Sequence, residues 1–343
     1  MKIALIHTRY KYKGGLETRL FNYINYFLQK GDTVDLYTAE IDANIAIPNG
    51  LNLHYINVKK HIKHFRNYFF DKKLHQVFNE NNYDFALALE RNRVEYLLAP
   101  NTHKGFFKAS NAILKTPIDL VQLHLEKQSF SYAKIIYACS EMVKNEIEQY
   151  YGVSPQKVKV LYPPINLKTF SILYTKEEAR AKLNFNSSDK LFLFVSTSHK
   201  RKGLPFLKKI FKKLPENYKL LVAGTPIKNT KNIISLGFVK DMSVLYQAVD
   251  CLLHPAIYEP FGQIVIEAIS QKVPAIVSTK VGAGEFINSH NGYVLTNDIE
   301  IWKEKILNFD KNTFDFSNNA EILEELSLQN HMKLMLSFAK LNN

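Results

Sequence analysis

Short apolar runs alternate with amphipathic segments along most of the chain. Ile3–His7 reads as a buried parallel strand, and in Glu17–Lys30 the residues Leu20, Tyr23, Ile24, Phe27 and Leu28 fall on one helical face. Gly31-Asp32 ends that helix. Further strands are predicted at Thr33–Tyr37, Leu51–Val58, Tyr83–Leu89, Lys134–Cys139 and Val158–Tyr162. A helix beginning at Glu126 leads into the fourth of these, and Ser140 caps a helix over Glu141–Tyr151. Glu95–Phe130 carries no clear period. Pro163-Pro164 cannot continue a sheet centre, so an interdomain linker is placed at Pro163–Phe170. A second set of elements follows. Strands are predicted at Leu191–Ser196, Tyr218–Ala223, Ile233–Leu236, Cys251–Leu253 and Pro274–Ser278. Helices are predicted from the Lys202-Gly203 step to about Leu214, over Met242–Val249, from near Pro260, over Ile299–Asn308 and over Ala320–Leu341. Strand–helix alternation of this kind builds parallel sheets in an α/β fold.

The 343 residues exceed what one core usually holds, ~250–300 residues, so two domains are expected. The two cysteines, Cys139 and Cys251, lie in or at the end of apolar runs and read as buried thiols of a reducing compartment. No Cys or His spacing suits a metal, and no apolar run is long enough for a signal peptide or a membrane span. A cytoplasmic protein is expected.

The formal net charge is +13, concentrated in Lys59–Lys73 and Lys200–Lys240, while the chain beyond residue 250 is near neutral to acidic. Nucleic acid, an anionic membrane surface and anionic substrates are all compatible with that excess, as is a basic surface with no partner. Within 59–73 the cations interleave with Ile62, Phe65, Tyr68, Phe69 and Phe70. That pattern suits an anionic leaflet or stacking on single strands. The plain alternative is a helix whose core face is Phe65 and Phe69.

The stretch with most chemistry in it is His254–Ala268. A buried strand enters a turn that holds Glu259, then Phe261-Gly262-Gln263, then a helix that carries Ile264 and Glu267. A helix starting near Pro260 would bring Glu267 back onto the face of the turn. The amides of Phe261, Gly262 and Gln263 would lie at the positive end of its dipole, an arrangement that suits hydroxyls and phosphates. Spacing alone also fits two surface carboxylates on an ordinary helix. Two further loops carry candidates. Gly14-Gly15, after the first strand, allows close approach of a ligand to backbone, though a tight turn would use the same pair. Arg201 and Lys202, ahead of Gly203, can grip a diphosphate, though solvated cations would look the same.

The stretch EPFGQIVIEAISQKVPAIVSTKVGAGEFI resembles the Glu-x7-Glu signature of family 4 retaining glycosyltransferases of the GT-B fold, and the run around Cys139-Ser140-Glu141 is similar to that of bacterial lipopolysaccharide core α-glucosyltransferases within it. The resemblance runs from the Gly-Gly loop to Gly284. It implies two Rossmann-like domains facing a cleft: an acceptor domain at 1–163, a nucleotide-sugar domain at 164–320, and a helix at 321–343 that returns toward the first. It implies that Glu259 holds the donor sugar and Glu267 the ribose. Arg201, Lys202, Gly14 and Gly15 would bind phosphates, although the family often has an Arg a few residues before Arg201, where this chain reads Ser196-Thr197-Ser198-His199. Gly224, Thr225, Phe238, Val239, Phe261, Gly262, Gln263 and Ile264 would complete the donor site. A His in the N-terminal domain often contacts the donor sugar, and His103, with His124 as competitor, takes that role.

The expected reaction is hexose transfer from a nucleotide-diphosphate sugar, UDP-linked, to a glycan or glycolipid of the cell envelope, such as lipopolysaccharide core. No Asp-x-Asp is present, so neither metal nor cofactor is expected. An anionic membrane surface is an expected contact of 59–73, and nucleic acid is not an expected partner. Two other readings use the same residues. A nucleotide-sugar epimerase or a phosphorylase would share the architecture, although a phosphorylase would need a much longer chain. A non-enzymatic basic protein would bind membrane or nucleic acid and ignore nucleotides.

Overall fold

The computed structural model describes residues 1–12, 14–110, 116–165 and 174–340. The predicted linker from Asn166 to Phe170, and Leu341 of the last predicted helix, lie outside them. The chain forms two compact units, Met1–Pro164 with the chain from Leu328 on, and Ile165–Ser327.

The first unit runs β1 (Lys2–Ile6), β2 (Arg9–Tyr10), α1 (Gly15–Gln29), β3 (Thr33–Thr38), β4 (Glu40–Ile41), β5 (Leu51–Tyr55), α2 (Arg66–Val77), β6 (Phe85–Ala88), β7 (Tyr96–Ala99), α3 (His103–Ser110), α4 (Pro117–Tyr132), β8 (Ile135–Ala138), α5 (Glu141–Tyr151) and β9 (Val158–Val160). Its main sheet has the order β5-β3-β1-β6-β7-β8-β9, and β2 pairs with β4 beside it. All these pairings are parallel, with Ile3 opposite Val34 on one side and Phe85 on the other. The central strands are apolar on both faces because helices cover both.

The second unit contains α6 (Lys176–Lys182), β10 (Lys190–Ser196), α7 (His199–Lys202), α8 (Leu204–Phe211), β11 (Tyr218–Gly224), β12 (Ile233–Gly237), α9 (Met242–Ala248), β13 (Cys251–His254), α10 (Gln263–Ser270), β14 (Ala275–Ser278), β15 (Gly292–Leu295), α11 (Ile299–Leu307) and α12 (Asn319–Glu325). Its parallel sheet has the order β12-β11-β10-β13-β14-β15. The chain therefore winds outward from β10 on one side and then returns to start β13 on the other. That reversal leaves a crevice at the C-terminal ends of β10 and β13, the usual ligand position in such sheets.

The last element is α13 (Leu328–Lys340). The single helix expected over Ala320–Leu341 is two helices. The chain breaks at Leu326–Ser327, where Leu326 O accepts the Ile165 amide and Ser327 bridges Ile165. Beyond the break Met332, Met335 and Ala339 join the core of the first unit with Leu5, Tyr23 and Phe27.

Three local expectations are corrected. The helix expected at Glu126 starts at Pro117, because Thr116 and Asp119 form a reciprocal cap there. In 59–73 the buried residues are Phe70 and Asp71, continued by Leu74 just beyond, and Phe65 and Phe69 are only half-buried. A short 3-10 turn at Lys63–Phe65 precedes α2 and shifts its phase. The helix expected near Pro260 begins at Gln263, because Gly262 takes a left-handed φ of 95° and cannot be its first turn.

Candidate active site

The crevice of the second unit gathers residues from three loops. After β10, Ser198–Gly203 forms the α7 corner. Gly203 has φ +92°, and a Cβ there would stand 2.1 Å from Pro255 O, so only glycine lets this corner approach the loop after β13. The two loops are joined by the Ile257 amide, which donates to Arg201 O at 2.9 Å. Arg201 Nη1 then donates to Tyr258 O at 2.7 Å and to Glu259 Oε2 at 3.1 Å. Lys202 Nζ lies 3.6 Å from the same oxygen.

The turn at Glu259 is held by the second glycine-bearing loop. The Glu259 amide donates to Lys280 O, the Gly282 amide to Glu259 O, and the Ala283 amide to Phe261 O. His254, fully buried at the end of β13, has Nε2 3.5 Å from Glu259 Oε2. Burial pushes the Glu259 carboxyl up, but His254, Lys202 and Arg201 outweigh it and bring it down to about 2. Burial lowers the His254 pKa despite Glu259, so the imidazole stays neutral at physiological pH.

Glu267 is treated in the opposite way. With α10 starting at Gln263, it lies just over one turn into the helix. Burial raises its pKa, opposed by a bond from Tyr246 Oη to Oε2 at 2.9 Å and by the charge of Lys202. One crevice thus carries a carboxylate held firmly in its ionised form and a second whose pKa is shifted the other way by burial. The β11 end lies alongside: Gly224 has φ +113°, with space for a Cβ denied by Ser196 O at 2.1 Å, and Thr225 O is 2.9 Å from His199 Nε2. Phe238 is 74% exposed just past β12, the edge strand two places from β10, and is followed by Val239.

Of the predicted residues, Arg201, Lys202 and Glu259 meet directly. Glu267 stands on α10 behind the same turn. Phe261 and Gly262 lead from that turn into α10, Gln263 and Ile264 are its first residues, and Gly224 and Thr225 line the neighbouring strand end. Gly14, Gly15 and His103 belong to the first unit. Gly15 has no atom within 4 Å of where a Cβ would sit and is not at positive φ, so packing does not require a glycine there. His103 is the first residue of α3. Its Nε2 is 2.9 Å from Asp119 Oδ1, and its amide is held by the buried Glu126. His124 is exposed, with its ring 6.3 Å from that of Tyr68.

Sequence reasoning missed His254, Tyr246 and His199. His254 directly precedes the motif and could have been flagged there. Tyr246 sits on α9, 21 residues from its partner, with no local signal. In the first unit it also missed a buried charged group behind Gly14-Gly15. Arg9 bridges Glu17 at 3.2 Å and Glu90 at 3.4 Å, and His7 lies fully buried 3.8 Å and 3.9 Å from the same two acids.

A family model described as "Glycosyltransferase Family 4" matches residues 13–169, and one described as "Glycosyl transferases group 1" matches residues 175–322. A protein of Burkholderia thailandensis named a probable transglycosylase is 27% identical over 291 residues, covering 84% of this chain and 80% of its own. The lipopolysaccharide glucosyltransferase WaaG of Escherichia coli is 25% identical over 164 residues, covering 43% of this chain and 44% of its own. The crystal structure of WaaG, described as a glycosyltransferase involved in lipopolysaccharide biosynthesis, superposes with a TM-score of 0.79 at 21% identity, over 97% of this chain and 98% of that one, a likeness of fold. With one model on each half and the parallel sheets of both units matching that fold, the chain belongs to the family 4 glycosyltransferases of the GT-B fold.

Proposed function

We propose that the protein is a metal-independent, retaining hexosyltransferase that uses a nucleotide-diphosphate sugar, UDP-linked, and transfers to an envelope glycan such as lipopolysaccharide core. The observation that carries this reading is the Arg201–Lys202–Glu259 cluster at the strand ends, with the buried Glu267, bonded by Tyr246, beside it. Arg201 and Lys202 neutralise the donor diphosphate, the task a metal would otherwise perform. Glu259, kept ionised, accepts hydrogen bonds from the donor sugar. Glu267 and Tyr246 hold the ribose hydroxyls. Gly224, Thr225, Phe238 and Val239 serve the base side, and the backbone of Phe261–Ile264 serves the sugar phosphate. Gly14 and Gly15 offer backbone to phosphate, and His103 contacts the transferred sugar after exchanging its bond to Asp119.

In the reaction the acceptor hydroxyl oxygen bonds to the anomeric carbon on the face from which the diphosphate departs. The anomeric C–O bond breaks, and the acceptor proton passes to the leaving phosphate oxygen. Glu259 positions the sugar and forms no covalent bond.

The acceptor assignment draws support from the lipopolysaccharide relative. No helix among the described residues is long and apolar enough to cross a membrane. Ile62, 70% exposed between exposed Lys60 and Lys63, supports peripheral contact of 59–73 with an anionic inner-membrane surface on the cytoplasmic side.

The test is thermal unfolding without metal against UDP, GDP, ADP and their sugar conjugates, on wild type and Glu267→Ala. A ligand at ~100 Kd stabilises by roughly 2.7 kcal/mol. One base should stabilise the wild type and lose most of that effect in the variant. Equal shifts in both proteins would remove Glu267 from the donor site.

A further inference from the structure

We infer that a separate pocket in the first unit binds a phosphate-bearing sugar or polyol, and that the acceptor is chosen through this anionic group; this deepens the transferase reading and rests on it. The pocket has a volume of about 660 Å³ and is lined by residues of the first unit alone. That volume is on the scale of small-molecule sites, roughly 300–1,000 Å³.

Its charges divide into two sets. Arg9 is balanced by Glu17 and Glu90, and Lys11 is paired with Glu40 at 2.5 Å. Lys59, Lys63 and Arg66, which also line the pocket, have no carboxylate partner among the described residues. The Arg66 guanidinium is held by two backbone carbonyls, Nε to His61 O at 3.2 Å and Nη2 to Lys59 O at 3.3 Å. It is thus oriented without being neutralised. One oriented guanidinium with two ammonium groups, of which Lys59 Nζ lies 5.9 Å from the Tyr55 ring centroid, is a donor set suited to a phosphate dianion.

The rest of the wall suits a polyhydroxylated ring. Val58, Phe70 and Ala39 supply an apolar surface, while Asn67 and the Thr8 hydroxyl supply polar groups. Thr8 Oγ1 donates to Glu90 at 2.8 Å, so the hydroxyl oxygen keeps its capacity to accept. A single concave pocket of this kind fits one phosphorylated residue better than a nucleic-acid strand, which needs an extended basic track.

The experiment is calorimetric titration of the full chain with mannose 6-phosphate, inorganic phosphate and mannose, and flotation with vesicles of phosphatidylglycerol or of phosphatidylcholine. Wild type should bind mannose 6-phosphate and phosphate, and mannose at least tenfold more weakly. Lys63→Gln and Arg66→Gln should each weaken phosphate binding at least fivefold and leave UDP affinity within twofold. Arg66 also ties the loop together, so Lys63→Gln, whose side chain makes no hydrogen bond among the described residues, guards against a folding artefact. Equal affinity in wild type and Lys63→Gln, or no binding of either phosphate probe, would overturn the inference. Lys63-dependent binding to phosphatidylglycerol vesicles without binding to the soluble probes would move the phosphate to a lipid headgroup and overturn the acceptor assignment. Loss of UDP binding with phosphate binding intact would count against the donor reading alone.

Discussion

Arg201 Nη1 stands 3.1 Å from Glu259 Oε2, so the cation assigned to the donor's phosphates and the carboxylate assigned to its sugar are already a pair before any ligand arrives. Both side chains are largely shielded from water, which makes the contact stronger than a surface ion pair. A double-mutant cycle with Arg201→Ala and Glu259→Ala should return a coupling of about 1–3 kcal/mol in unfolding free energy. Glu259→Gln keeps the shape and removes the charge. It should lower kcat by roughly a hundredfold and change nucleotide affinity little. A variant with wild-type turnover would take Glu259 out of the reaction.

The Tyr246 hydroxyl is the polar partner that the structure gives to the Glu267 carboxylate inside the second unit. Tyr246→Phe removes that bond and leaves a buried carboxyl oxygen with less support. Nucleotide binding should weaken roughly fivefold to thirtyfold, corresponding to about 1–2 kcal/mol. Because the bond also lowers the Glu267 pKa, its removal raises that pKa further, and the loss of affinity should grow as pH falls. Titration calorimetry over a descending pH series checks both statements.

Gly203 is where the α7 corner meets the Pro255 backbone. Alanine there would have to resolve a 2.1 Å contact with Pro255 O and hold φ near +92°. Gly203→Ala should destabilise the protein by about 2–4 kcal/mol. It should also weaken nucleotide binding, because the Ile257–Arg201 bond depends on the same approach. Chemical denaturation measures the first effect, and an unchanged midpoint would show that the corner relaxes.

The C-terminal helix carries a pH dependence. His331 accepts from Tyr23 Oη through Nε2 at 2.6 Å and donates from Nδ1 to Tyr162 O at 2.7 Å, which satisfies the neutral ring on both sides. Burial, with the charge of Arg19, lowers its pKa to about 3, against the bond to Tyr162. The unfolded chain therefore takes up this proton near pH 6.5, well before the folded protein does. The stability concerned is complete above that pH, falls as pH drops toward about 3, and amounts to about 5 kcal/mol. Amide exchange in Leu328–Lys340 should accelerate from pH 6.5 downward relative to the intrinsic rate. His331→Gln should flatten that dependence.

The α/β order, the Glu259–Glu267 motif and the Arg201-Lys202 step were legible because each is written locally. Strand and helix periods repeat within a few residues, and Glu259, Gly262 and Glu267 share one turn and one helix. The phase of α2 was misread because a 3-10 turn at Lys63–Phe65 precedes it, and a short turn leaves no period to detect. The end of the helix at Leu326 was missed for a different reason. Its cause is Ile165, which is remote in sequence and pairs with the chain at that point.

Residue order alone determined that this chain builds parallel α/β sheets and puts two carboxylates and two cations at the ends of their strands. It did so because apolar periodicity and turn chemistry act between near neighbours. Only the tertiary structure decided which groups meet. The strand order β12-β11-β10-β13-β14-β15 sets β10 beside β13, and with them Arg201 beside Glu259 and His254. The packing of α9 on that sheet brings Tyr246 to Glu267; burial raises both carboxyl pKa values, and His254, Lys202 and Arg201 then pull that of Glu259 down. Those outcomes depend on desolvation and on charges tens of residues away, which no window along the chain contains.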